Sequence, residues 1–159
     1  MANVKDSGSM REFSTGAHRD NATGKGRCDL LPLKEVAEVM NDPVLMELSK
    51  FFEDKDPERI KNALRISLNT VSEYENNFST MFIEASKLYE DGANKYGENN
   101  WKKGMPLNCY LDSGIRHYLK TLRKDNDEPH YRGFVWNMLG ALWTIDNIPN
   151  SLNEFSEKY

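Results

Sequence analysis

Residues 89–143 carry more groups able to do chemistry than a set of packing helices needs. Asp112 and Arg116 stand at i and i+4 with His117 beside them, and Asp127 and His130 stand at i and i+3 around the start of the next apolar segment. Side chains spaced in this way on neighbouring helices can converge on one point. Glu90, Asp112 and Asp127 come from three segments and could offer carboxylates to Mg2+, which takes carboxylate, water and phosphate oxygens in octahedral geometry. Such an ion suits a triphosphate, because it neutralises the phosphate chain and acidifies an attacking water while Lys or Arg stabilises the developing charge. Lys25, Arg27, Lys95 and Arg116 are the cations available. His117 and His130 are suited to proton transfer near neutral pH, Trp101 and Trp136 to stacking on a purine, and Asn100 and Asn137 to amide contacts with a base edge.

Each of these residues has a plainer reading. Asp112 with Arg116 can be an intrahelical ion pair, worth about a few tenths of a kcal/mol if exposed. Asp127 and Glu128 can cap a helix and complement its dipole. The histidines can be satisfied structural groups, the tryptophans packing residues, Asn100 a solvated amide and Asn137 one that bonds back to its own helix. Gly24-Lys25-Gly26 lacks the full GxxxxGK[ST] pattern and follows no strand, so it is not a Walker loop. A segment closing over a nucleotide through Lys25 and Arg27 stays open as a reading.

The elements that must position these groups are helical. Leu33, Val36, Ala37 and Met40 recur at helical spacing, and Asn41-Asp42-Pro43 ends that helix and starts another running to Phe52. Asp56-Pro57 restarts the chain for a helix striped with Ile60, Ala63, Leu64, Leu68 and Val71. Phe78 to Tyr96 forms the next, closed by Gly97, followed by a polar loop around Trp101. Leu107 to Arg123 and His130 to Ile145 complete the set, the last so apolar that a central position is expected. Residues 1–23, rich in Gly, Ser, Asn, Asp and Thr, read as a flexible arm. The expectation is an all-α compact helical bundle with an extended N-terminal arm, residues 24–159 making a single helical domain.

Composition sets the outer bounds. A chain of 159 residues with 38% hydrophobic content supplies one modest core. The formal charge of −4 argues against nucleic acid as a partner, since counterion release needs a basic face, but leaves room for a few cations focused on a free nucleotide. No apolar run is long enough to cross a membrane and no signal-peptide core opens the chain, so a cytoplasmic protein is expected. Cys28 and Cys109 have no CxxC partner and read as ordinary thiols.

Several blocks carry a resemblance. They are Lys25-Gly26-Arg27-Cys28-Asp29-Leu30-Leu31-Pro32, then Tyr89-Glu90-Asp91-Gly92-Ala93-Asn94-Lys95-Tyr96-Gly97-Glu98-Asn99-Asn100-Trp101-Lys102-Lys103-Gly104-Met105-Pro106-Leu107, then Asp112-Ser113-Gly114-Ile115-Arg116-His117, Asp127-Glu128-Pro129-His130, and Trp136-Asn137-Met138-Leu139-Gly140-Ala141-Leu142-Trp143. Together they resemble the phage-type dATP/dGTP diphosphohydrolase-like N-terminal domain, with 33–88 reading as a helical insertion relative to that pattern. The resemblance implies a helical domain loosely related to MazG-like pyrophosphohydrolases, which use Mg2+ to cut between the α and β phosphates. Those enzymes carry paired ExxE and ExxD motifs, whose nearest counterparts here are Glu90 with Asp91, Asp112, and Asp127 with Glu128.

The resemblance therefore implies Glu90, Asp112 and Asp127 as Mg2+ ligands, with His130, Asp127 and His117 catalytic. Lys25, Arg27, Lys95, Asn100, Trp101, Arg116 and Asn137 are then the nucleotide-binding set. The expected function is Mg2+-dependent hydrolysis of purine (deoxy)nucleoside triphosphates to monophosphate and pyrophosphate in phage nucleotide metabolism, in the host cytoplasm and by a homo-oligomer. The alternative is a protein that binds or sequesters a nucleotide-like signal without turnover, as one counteracting a host defence would.

Overall fold

The order of elements follows from where the chain supplies caps. The computed structural model describes residues 8–153, except the side chain of Ser72. Among these residues lie six α-helices: α1 Leu33–Met40, α2 Pro43–Asp54, α3 Pro57–Thr70, α4 Phe78–Tyr96, α5 Leu107–Leu122 and α6 His130–Asn147. Asp42 accepts from the Leu45 amide at 2.9 Å to start α2, Asp56 accepts from the Glu58 amide at 3.0 Å to start α3, and Asn77 accepts from the Thr80 amide at 3.1 Å to start α4. Proline stands in the first turn of both α2 and α3. Gly97 ends α4 at a φ of 89°, which disfavours any residue with a Cβ. Among the described residues no helix is long and apolar enough to cross a membrane.

The fold is the expected helical one, with α6 at its centre against α3, α4 and α5. Helices α5 and α6 pack most closely. A Cβ on Gly140 would come within 2.4 Å of the Tyr110 ring, so glycine there lets the two backbones approach. Phe134, Val135, Met138 and Ala141 of α6 are wholly buried with Leu111, Ile115 and Tyr118 of α5. Buried polar bonds fix the remaining helices: Tyr118 donates to Asp42 at 2.6 Å, and the Ser67 and Tyr131 hydroxyls meet at 2.7 Å. Each joins elements far apart in sequence without leaving an orphaned hydroxyl.

The N-terminal segment departs from expectation. Of the flexible arm expected over residues 1–23, residues 1–7 lie outside the described residues, and 8–23 carry a hairpin. Strands β1 (Met10–Glu12) and β2 (His18–Asp20) pair antiparallel, Met10 opposite Asp20 and Glu12 opposite His18. Phe13 and Ala17 between them are buried in the core. The two strands are too short to show an alternating pattern, and what orders them is tertiary: Thr15 donates to the Gly104 carbonyl at 2.6 Å, and Asn100 holds both backbone groups of His18.

Candidate functional site

The site is built outward from the first turn of α6. His130 there is 3% exposed, and its Nε2 lies 2.7 Å from an oxygen of Asp127. A carboxylate accepts, so His130 Nε2 donates and its Nδ1 is left to face the His117 Nδ1 at 3.0 Å. In that tautomer His130 Nδ1 accepts a hydrogen bond from His117 Nδ1–H. The hydrogen bond from His130 holds Asp127 below the ordinary carboxylate range. Burial, followed by the neighbouring His130, pushes His117 down to about 3, so that its imidazole is neutral at pH 7. Glu128 lies beside both rings, 3.6 Å from His130 Nδ1 and 4.0 Å from His117 Nδ1. Room for this arrangement comes from Gly133, where a Cβ would stand 2.9 Å from the His117 ring.

One turn further along α6 the lining becomes aromatic. Tyr89 of α4 contacts Trp101 and Trp136 with ring centroids 5.5 and 5.9 Å away, and Trp143 closes on Trp101 at 5.1 Å. The hairpin seals the far side. Arg19 donates to Asn137 Oδ1 at 2.5 Å and lies over the rings of Tyr110 and Trp136. Asp20 accepts from Lys95 and from Tyr96, each at 2.5 Å. Asn100 works as a backbone clip: its Oδ1 accepts from the His18 amide at 2.9 Å while its Nδ2 donates to the His18 carbonyl at 2.8 Å.

Between these walls lies a cavity of about 750 Å³, ample for a nucleotide. Tyr89, Trp101 and Trp136 line it together with His117, Asp127 and Glu128, so aromatic faces and titratable groups share one space. Lys25 and Lys120 also border it, and neither side chain makes a hydrogen bond or ion pair among the described residues. Desolvation holds the Lys25 ammonium below its ordinary value, the effect of a cation in a partly water-excluded setting. Cations with no hydrogen bond of their own beside aromatic faces are what a phosphorylated aromatic ligand would engage.

Of the residues expected at the site, Lys25, Lys95, Asn100, Trp101, Arg116, His117, Asp127 and Asn137 border the cavity. Several are already engaged. Both amide ends of Asn137 are used, since Nδ2 donates to the Gly133 carbonyl at 2.7 Å. Arg116 donates to both oxygens of Asp112, at 2.9 and 3.2 Å, and to the Gly26 carbonyl at 3.0 Å. Arg27 does not border the cavity and is held bidentately by Asp29 at 2.7 and 2.6 Å.

The structure does not bring the three expected Mg2+ ligands together. Asp112 is fully buried, and beyond Arg116 it accepts from the Cys28 amide at 2.7 Å, so its oxygens fasten the loop before α1 to α5. Glu90 is exposed outside the cavity lining, which leaves Asp127 alone there. Three spellings in the sequence satisfy the ExxE or ExxD motif: Glu35-Val36-Ala37-Glu38 (ExxE) and Glu53-Asp54-Lys55-Asp56 (ExxD) have their end acids exposed and outside the cavity, and Glu154-Phe155-Ser156-Glu157 (ExxE) lies outside the described residues. Lys120, Arg19 and Asp20 were missed. Lys120 falls four residues after Arg116 on the same helical face, a signal that was legible; Arg19 and Asp20 sit in the hairpin and carried none.

A family model described as dATP/dGTP diphosphohydrolase, N-terminal, matches residues 55–152. That match takes in α3 to α6 and runs through 55–88, part of the stretch expected to be an insertion, while the block at 25–32 falls before it. No curated protein and no solved structure matches the chain.

Proposed function

The chain belongs to the dATP/dGTP diphosphohydrolase N-terminal family, and from that premise we propose that the large cavity binds a purine (deoxy)nucleoside triphosphate and carries its Mg2+-dependent hydrolysis to the monophosphate and pyrophosphate. The observation that carries this reading is the order of groups along α6. Asp127 and the paired imidazoles of His130 and His117 stand at its first turn, an aromatic wall follows one turn on, and Lys25 and Lys120 border the same cavity. A purine stacked among Tyr89, Trp101 and Trp136 directs its phosphates toward Lys25, Lys120 and His117. Because Asp112 is spent on Arg116 and Glu90 lies outside, the carboxylates expected for Mg2+ do not form an ion site. Mg2+ enters this reading as the counter-ion that the triphosphate brings with it.

The chain's own part is to bind and orient. Asp127 fixes the His130 tautomer, His130 holds His117, and the neutral His117 ring can accept a hydrogen bond from a water at the cavity wall and so position it. Incubation with dATP, dGTP and pyrimidine dNTPs should yield monophosphate and pyrophosphate from the purines, with His117→Asn slowing turnover by about a hundredfold while binding persists. Absence of product from every nucleotide would sink the hydrolase reading.

The missing carboxylate trio favours a second reading, a protein that binds or sequesters a nucleotide-like signal without turnover, as one counteracting a host defence would. Calorimetry would then find tight stoichiometric binding that survives chelation, with no product after long incubation. We propose a part in phage nucleotide metabolism, in the host cytoplasm, a reading that the family membership supports. Exposed Phe78, Phe82 and Ile83 on α4 support a homo-oligomer, which light scattering of the purified chain tests.

A further inference from the structure

The wall between the large cavity and a neighbouring one of about 450 Å³ holds three ligand-type atoms at close quarters. His117 Nδ1, His130 Nδ1 and Glu128 Oε1 are separated by 3.0, 3.6 and 4.0 Å. We infer that these three residues form a binding site for a divalent transition ion of the Zn2+ or Co2+ kind.

The geometry is the first argument. A point equidistant from the corners of that triangle lies at about the 2.0–2.1 Å that Zn2+ keeps from imidazole nitrogen. An ion there takes the place of the proton now held between the two Nδ1 atoms. Chemistry is the second. Two imidazole nitrogens and one carboxylate select a borderline ion over Mg2+, which prefers all-oxygen surroundings.

The surroundings supply the third argument. Asp127 stands behind His130 at 2.7 Å on the opposite ring nitrogen, and a carboxylate in that place fixes the tautomer of a ligating histidine and strengthens it as a donor. The His130 side chain is 1% exposed and that of Glu128 13%, so both are held in place before any ion arrives. His117 and Glu128 border the large cavity. Three protein ligands leave a coordination position open to it, the pattern of a catalytic rather than a structural ion. A second group, Asp125, Asp127 and His130, also brings its ligand atoms within 4.8 Å of one another, but Arg123 already donates to both oxygens of Asp125.

The inference deepens the hydrolase reading by giving the site an ion of its own, and depends on that reading for the substrate alone. Titration of the full chain with Zn2+ in a calorimeter, without nucleotide, should give one ion per chain. Co2+ should develop the visible absorption of a four-coordinate centre, and excess Mg2+ should not displace either ion. Glu128→Gln and His117→Gln should each abolish this binding while thermal unfolding shows the fold intact. Asp127→Asn, which alters only a positioning residue, should weaken the ion about tenfold to a hundredfold at unchanged stoichiometry, and Asp125→Asn should have no effect. Absence of stoichiometric Zn2+ or Co2+ binding, or binding indifferent to both ligand variants, overturns the site. Zn2+ bound with no nucleotide turned over leaves the site standing and removes the hydrolase reading; turnover that persists with no ion bound leaves the hydrolase reading standing and overturns a catalytic part for the ion.

Discussion

Lys25 and Arg27 stand two residues apart on one loop and take different parts. Arg27 is committed to Asp29 by two hydrogen bonds, whereas the Lys25 ammonium faces the cavity without a bonded partner among the described residues. Lys25→Ala should therefore raise the Kd for a nucleoside triphosphate by about tenfold, the effect of one charge-assisted contact, and Arg27→Ala should move it by less than about twofold. Equal effects in a calorimetric titration would show that the loop, rather than the lysine, matters. Asp112 is the harder residue to read. The sequence shows it four residues before Arg116, which suits an ion pair and a metal ligand equally well. What the sequence does not show is that the Cys28 amide also donates to it. Asp112→Asn should cost about 3–5 kcal/mol in denaturant unfolding, because a buried guanidinium loses its counter-charge. Activity lost in that variant then reports on folding and not on catalysis.

Among the elements, legibility followed helix length and capping. The spacing predicts Phe78 to Tyr96 as a helix ending at Gly97, and α4 has those bounds, because a repeating apolar face and a capping glycine are local features. The hairpin of 8–23 was not legible. Three-residue strands have no periodicity to read, and its order comes from Asn100 and the core contacts of Phe13 and Ala17, all long-range in sequence. Asn100→Ala removes both hydrogen bonds to His18 and should destabilise the hairpin by about 2 kcal/mol. The measurable outcome is faster amide exchange confined to the hairpin, with weaker nucleotide binding, since His18, Arg19 and Asp20 line the cavity. Exchange that rises equally throughout the helices would mean that the hairpin does not open by itself. The same limit explains why the His117, His130 and Glu128 cluster was only partly visible. Spacing gave each histidine its helix, but the meeting of α5 with α6 depends on Gly133, whose significance appears only when the two helices are packed.

For the molecule as a whole, the bonds that tie helix to helix through carboxylates set how stability responds to acid. Glu84 accepts from Lys87 on its own helix and from Arg132 of α6; the Lys87 hydrogen bond is the foremost cause of its lowered pKa, and it prevails with Arg132 over the opposing effect of burial. Glu47 of α2 behaves alike. Burial works to raise it, but hydrogen bonds from Lys50 and from Asn62 of α3, with the charge of Arg59, more than offset that and leave it below its ordinary value. A carboxylate whose folded pKa is depressed contributes stability that is fully present above its unfolded pKa, about 4.3 for Glu, and is lost as the pH falls through the lower folded value. Urea midpoints should therefore be level from pH 7 to about 5 as far as these two groups are concerned, and should fall steeply below about 4. Glu84→Gln should lower the neutral-pH stability by about 1–2 kcal/mol while flattening the acid limb, because the variant has no proton to take up at that position. Identical acid limbs in the parent and in a Glu47→Gln, Glu84→Gln double variant would assign the acid sensitivity to other carboxylates and remove these two inter-helix bonds as its source.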